Sequence, residues 1–375
     1  MKSGIFECVK LLQMEQRHLF GSAAKSTHPY SNLQDQAFWD RAVAGTPPFA
    51  VDPVLDVPFA ISRTDRVATA GSCFAQQIAR ALQTNSFHYF VTEPAPDHLA
   101  PDAAASYGTF SARYGNIYTT RQLLQLFDRA YGDFVPSLTS WRDKNGGYVD
   151  PFRPRIQTFR STEDVLTDRA HHLARVRKLF ENLDVFIFTL GLTEAWEHTA
   201  DHAVLPLAPG VAGGEWDPGQ YTFHNYSVQE VAQDLIAFVD RLRSVNPSCR
   251  IVLTVSPVPL AATYERRHVL VSTCVSKATL RLAAENCVAA RDAVFYFPSY
   301  EIITGPHSGN HYFDDDLRSV TKAGVDHVMR IFFAHFCGQR SQQLTPATLR
   351  SLAAEMESVK DVVCDEEALV TDNLR

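Results

Sequence analysis

Hydrophobic and polar positions along this chain fall into two alternating rhythms. Short, continuously apolar runs at 67–70, 87–91, 185–190, 251–255 and 294–297 are rich in β-branched and aromatic residues and read as strands. Between most of them, apolar residues recur at helical spacing over 76–82, 121–130, 167–181, 228–245 and 276–285, and a last helical pattern covers 322–336. Strands with no polar side must be covered on both faces, and strands that alternate with helices build a parallel sheet. The pattern predicts an α/β fold, a three-layer sandwich of about five parallel strands between helices.

The flanks follow a different pattern. Residues 1–58 read as an N-terminal arm, rich in Pro, Ser and Asp over 25–58 and carrying one short helical pattern at 34–43. The core domain is expected over 59–337, with irregular insertions near 133–160 and 199–223 whose Gly, Pro and Trp content suits the wall of a pocket. A polar, acidic tail follows over 338–375, with a peripheral helix expected at 345–359. No internal repeat breaks this plan.

Composition narrows the choice of partners. The 375 residues are 45% apolar, enough for a substantial core. A net charge of -7 and a pI near 6.0, with no Lys/Arg block, leave no electrostatic footprint for nucleic acid. The seven cysteines are scattered, and none forms a Cys-x-x-Cys pair, a usage that suits a reducing compartment and argues against a zinc site or a disulfide framework. The first 22 residues lack the unbroken apolar core of a signal peptide, and no run approaches the ~20 apolar residues of a membrane span. The expectation is a cytoplasmic protein that acts on a small molecule or a saccharide, with no metal.

Ligands of parallel α/β sheets bind beyond the carboxyl ends of the strands. The first strand ends in Gly71-Ser72-Cys73-Phe74-Ala75, a glycine break that delivers two nucleophile-type side chains to a helix N-terminus. The run 185–190 ends in Gly191-Leu192-Thr193-Glu194-Ala195-Trp196, and the run 251–255 in Ser256-Pro257-Val258-Pro259, ahead of Arg266-Arg267-His268. After 294–297 come Pro298-Ser299-Tyr300-Glu301 and a polar loop with His307, His311, Asp314, Asp315, Asp316 and Arg318. Together these supply a nucleophile, a base, a carboxylate and oxyanion donors on one predicted rim.

Those residues carry a resemblance. The Gly71 to Ala75 motif, Phe38-Trp39, the Phe188 to Trp196 run, Ser256-Pro257-Val258-Pro259-Leu260 and Tyr296-Phe297-Pro298-Ser299-Tyr300-Glu301 identify the chain as similar to the GSCFA family over roughly 29–336. That family resembles SGNH (GDSL-type) hydrolases, esterases and carbohydrate O-acyltransferases or deacylases on a flavodoxin-like sheet. The resemblance implies an acyl-transfer enzyme, an esterase or an O-acyltransferase with a carbohydrate or related hydroxyl acceptor. It requires no bound cofactor, and acyl-CoA would be the donor if the enzyme is a transferase.

Laid on the Gly-Asp-Ser block of that group, Gly71-Ser72-Cys73 puts Cys73 on the nucleophile, and a one-residue shift in the turn would expose Ser72 instead. The plain alternative is a small cysteine packed under the sheet. Thr193 falls where the group has an oxyanion Asn, and Glu194 beside it would order the loop or move a proton. The backbone of Phe74 and Gly115, with Asn116, would complete the oxyanion site. The group's Asp-x-x-His block reads Asp316-Leu317-Arg318-Ser319 here, so its histidine is missing. His268, His311, His307 and His224 are the replacements to consider, each also readable as a surface or capping histidine. Arg267 and Arg318 would bind a substrate anion, or serve only in surface ion pairs. Trp141, Trp196, Trp216 and Tyr221 would stack on sugar rings, or simply pack. The missing histidine also motivates a reading from another class, a binding or scaffold protein on a degenerate hydrolase fold.

Overall fold

Four strands that bury every residue except Arg250 and Phe295 form the centre of the fold: β1 (Val67–Gly71), β4 (Val185–Leu190), β8 (Arg250–Val255) and β9 (Val294–Tyr296). In this computed structural model, which describes residues 28–97 and 107–338, they pair in parallel in the order β1-β4-β8-β9. The register sets Gly71 opposite Thr189, and Thr189 opposite Thr254.

Side chains alternate across each strand, so two apolar faces result. Ala68, Ala70, Phe186, Phe188, Ile251 and Leu253 share one core with helices α2 (Thr120–Tyr131), α3 (Thr162–Asn182), α4 (Val228–Val245) and α5 (Val269–Ala290). On the other side lie α1 (Phe74–Thr84), α6 (Ser299–Thr304) and α7 (Lys322–Phe336), with α1 packing on β1, β4 and α7. The result is an α/β sheet flanked by helices on both faces.

Two departures from the sequence pattern have physical causes. The run 87–91 is no strand, because only Tyr89 bridges to Val67 in parallel. Ser86 enters it with a positive φ of 58°, His88 is exposed, and the segment's backbone bonds β1 through Phe90 N–H and the His88 carbonyl. It forms a blunted edge to a four-stranded sheet. Beyond β4 the chain does not stay a loop. Residues Glu194–His198 (β5), Val204–Leu205 (β6) and Tyr221–Asn225 (β7) form a second, antiparallel sheet in the order β6-β5-β7.

The 133–160 insertion carries a short hairpin, β2 (Trp141–Arg142) with β3 (Tyr148–Val149). Trp141, Val149, Phe152, Ala203, Leu205 and Tyr221 pack into a satellite core. Trp141 donates its indole N–H to the Tyr221 hydroxyl at 2.9 Å, so these two aromatics hold the insertions together and offer no sugar platform.

Contact clustering divides the chain into Met1–Val51 and Asp52–Arg375. Within the described part of the first unit, the pattern at 34–43 forms only short turns, Asp35–Ala37 and Asp40–Ala44, with no buried residue. The expected helix at 345–359 lies outside the described residues. No described helix is long and apolar enough to cross a membrane.

Candidate functional site

The turn after β1 is fixed by a glycine that no other residue could replace. Gly71 has a φ of 135°, and a Cβ there would sit 2.2 Å from the Thr189 carbonyl oxygen. This close approach lets Ser72 N–H donate to Thr189 O at 3.1 Å and Ile117 N–H donate to Gly71 O at 2.8 Å. The Ser72 and Cys73 carbonyls then accept the first helical bonds of α1, from Ala75 and Gln76. The strand–glycine–helix elbow read from the sequence is present.

Both nucleophile candidates are covered. Ser72 is 3% exposed and Cys73 5%, and Cys73 occupies the N-cap position of α1 without a side-chain capping bond. The Ser72 hydroxyl is buried with no hydrogen-bond partner, and so is that of Thr189. A buried hydroxyl left unpaired costs ~1–3 kcal/mol, which makes this pair conspicuous.

The second wall of the elbow is Gly191. A Cβ on it would lie 3.0 Å from Ser72 Cβ and 3.1 Å from the Tyr118 carbonyl, so glycine permits the two segments to touch. Tyr118 O accepts from Gly191 and Leu192 N–H, and Gly191 O accepts from Lys277 Nζ at 2.8 Å. Lys277 is only 1% exposed. The residue before it, Ser276, accepts at its hydroxyl oxygen from both Thr193 N–H and Thr193 Oγ1. An amine and a hydroxyl of α5 therefore close over the Gly191–Thr193 turn.

Lys277 was not singled out by sequence reasoning, although a signal existed. It falls on the stripe Ser272, Ser276, Leu280, Ala283, Ala284 and Cys287 that α5 buries, where a lysine is out of place.

The other predicted residues divide into two groups. Asn116, 2% exposed, accepts from Gln76 of α1 at its side-chain oxygen, which brings it to the elbow beside Ile117. Gly115 precedes it with a φ of 72°, and Phe74 opens α1 with its ring buried. Glu194 and Trp196 line a neighbouring cavity, where Glu194 accepts from Thr263 Oγ1 at 2.6 Å and Tyr264 N–H at 3.1 Å.

The structure gives the remaining residues other partners. His268 is exposed and caps α5, its Nδ1 accepting from Leu270 N–H at 3.2 Å. His224 pairs with Glu230 at 2.9 Å, and Arg267 with Glu265 at 3.3 Å. His311 is exposed, and Arg318 donates to the Pro259 carbonyl. None of His224, His268, His307 and His311 bonds to Ser72 or Cys73. Asp316 is turned on its own loop, accepting from Arg318 and Ser319 N–H and from the Ser319 hydroxyl at 2.6 Å. Burial would raise its carboxyl, but the Ser319 hydroxyl and these N–H groups hold it below the usual range. Ser319 thus satisfies Asp316 at the place where a histidine was expected.

A cavity of about 370 Å³ opens next to the elbow, beyond Tyr118 and Leu192. Trp196 packs edge-on between Trp216 and Tyr264, with ring centroids at 4.7 and 4.8 Å, and forms its aromatic wall. Among the described residues, no group of His, Cys, Asp and Glu is arranged to hold a metal ion.

The other described thiols differ in exposure. Burial pushes Cys249, Cys287 and Cys337 up to about 12, whereas Cys274 is exposed.

Compared with known families, residues 66–332 match the model of the GSCFA family. The matched span begins at β1 and ends inside α7, so it contains every residue of the elbow and of the Gly191 turn. Comparison with curated proteins and with solved structures gave no match.

Proposed function

Because the chain belongs to the GSCFA family, we propose that it is an SGNH-like acyl-transfer enzyme, an esterase or an O-acyltransferase with a hydroxyl acceptor, whose reaction runs at the Gly71-Ser72-Cys73 elbow. The observation that carries this reading is the buried, unpartnered Ser72 hydroxyl packed against Gly191, whose neighbour Leu192 lines a cavity. An alcohol held without a partner is ready to take one, and its neighbour Gly191 is anchored by a buried amine.

In this reading Ser72 Oγ attacks the acyl carbonyl carbon and its proton passes to Lys277, which must be neutral at that moment. The bond from the carbonyl carbon to the donor's leaving group breaks, and the ammonium returns the proton to that leaving group. Water or an acceptor hydroxyl then repeats the sequence on the acyl-serine. In this reading the backbone N–H groups at the head of α1 would hold the oxyanion, with Asn116, bonded to Gln76 of α1, beside them. A lysine in this role explains how the site dispenses with the histidine that Ser319 replaces. Because Ser72 is 3% exposed, the Gly191–Leu192 segment must move aside for substrate to reach it.

Cys73 is the other candidate nucleophile, favoured by its position in the motif and at the helix N-terminus. A screen of p-nitrophenyl esters and acyl-CoA donors with wild type, Ser72→Ala and Cys73→Ala decides between them. Turnover that survives Cys73→Ala and falls at least a hundredfold in Ser72→Ala supports the assignment, and the reverse pattern moves the nucleophile to Cys73. A second reading, a binding protein on a hydrolase fold, rests on the pairing of Ser319 with Asp316 and on the Ser72 hydroxyl having no histidine bonded to it. No turnover in the folded wild type would favour it.

A further inference from the structure

The cavity beside the elbow has a lining that specifies the chemistry of its occupant. It is built by the second sheet and its loops, the head of α2 and the connection from β8 to α5, with Leu192, Leu205, Leu207, Pro209 and Leu260 among its walls. Polar side chains are present, but those of Thr119, Gln122, Glu194 and Thr263 already have partners. Thr119 accepts from Gln122 N–H as the cap of α2, and Gln122 bonds Tyr118 N–H through its oxygen and the Asn116 carbonyl through its amide. Glu194 accepts from Thr263 Oγ1 on one oxygen and from Tyr264 N–H on the other, and Thr263 Oγ1 also bonds the Ser272 hydroxyl. A sugar in this cavity would forfeit water around its hydroxyls and find few free partners, at a cost of ~1–3 kcal/mol for each group left unpaired.

An apolar occupant meets no such cost. We propose that this cavity binds an alkyl chain, and that in the reaction it holds the acyl chain of the donor. The second half of that statement rests on the acyl-transfer reading, because Tyr118 and Leu192 connect the cavity wall to Gly191 and Ser72. The volume favours a chain over a two-carbon group. About 370 Å³ is roughly a dozen times the ~30 Å³ share of one water, far more than an acetyl would fill. Trp216 and Tyr264, half-exposed and exposed, mark the mouth.

Neutral alkanols test the site without the charge of Glu194 intervening. Titration of the purified protein with 1-hexanol, 1-octanol and 1-decanol, read by the fluorescence of Trp196 and Trp216, should give affinity rising up to about fourfold per methylene. Ethanol and methyl glucoside should give no saturable signal. Ala208→Trp and Ala262→Trp fill the cavity from two different loops, and each, shown to be folded by circular dichroism, should lose decanol binding at least tenfold. Flat affinity across the series, decanol binding unchanged in both folded variants, or saturable binding of methyl glucoside would overturn the proposal. Ser72→Ala should bind decanol as the wild type does. If it does so while retaining full turnover, the nucleophile assignment fails and the chain site stands.

Discussion

At the scale of single residues, the glycines of the site are defined by what they leave room for. Gly71→Ala would force a methyl group into the Thr189 backbone at an unfavourable φ, and should destabilise the fold by about 3 kcal/mol or more in a denaturant titration. Ser72→Ala should do the opposite. It removes a buried unpaired hydroxyl, so the melting temperature should hold or rise while chemistry at the elbow is lost, a separation that a purely structural serine would not give. The elbow itself was legible in the sequence because a glycine between an apolar strand and a helix has few other uses. Lys277 was missed since lysine usually marks the wet side of a helix, and here it lies on the buried side. The histidines were legible as residue types only. Local capping and turns, as at His268 and His224, decided where their rings point.

At the scale of elements, strands read well where they are buried on both faces and poorly at the edge. Residues 185–190 appear as β4 without change, whereas 87–91 meets solvent at His88 and yields one bridge. Helices α3 and α5 begin earlier than their apolar periodicity suggests, at Thr162 and Val269, because Ser161 and His268 supply caps. Periodicity in α5 is also blurred by exposed Leu270, Val271, Val275 and Leu282 opposite the buried stripe. The second sheet was hidden because strands of two and five residues inside an insertion leave too little alternation to read. Where the cap is a full capping box, as at Ser227 and Glu230 of α4, its loss is measurable. Ser227→Ala should cost about 1 kcal/mol, seen as a melting temperature lower by a few degrees.

At the scale of the whole molecule, a buried ionic cluster ties the 133–160 insertion to α3. Arg169 bonds Asp150 and the carbonyls of Leu138 and Thr139, while Arg153 bridges Asp150 and Asp168. Beside them His172 Nδ1 meets Glu93 at 2.8 Å. Burial, with the nearby charge of Arg153, pushes His172 down to about 4 even though Glu93 pulls the other way. Burial would raise Glu93, but His172, the Arg113 N–H and Arg153 hold it at about 2. Both groups bind protons more weakly in the folded chain, so the unfolded state gains on it as pH falls. His172 acts between pH 6.5 and about 4, and Glu93 between 4.5 and about 2. The His172 part amounts to about 3 kcal/mol, so unfolding midpoints should drop steeply below pH 6, and His172→Gln should flatten the upper part of that fall. The alternating pattern foretold the layered sheet, but this cluster joins residues up to 79 positions apart and could not be read from spacing.

The central claim is that the elbow carries an activated nucleophile served by Lys277, and peptide mapping by mass spectrometry tests it most directly. A Cys274→Ser background removes the thiol that is exposed among the described residues, and the protein is then treated with a fluorophosphonate probe, with iodoacetamide in a parallel sample. The account predicts a fluorophosphonate adduct on Ser72 in the folded protein, lost in a folded Lys277→Met variant and kept in His268→Ala. Folded protein with no adduct on Ser72 or Cys73, or an adduct indifferent to Lys277 and abolished in His268→Ala, would contradict it.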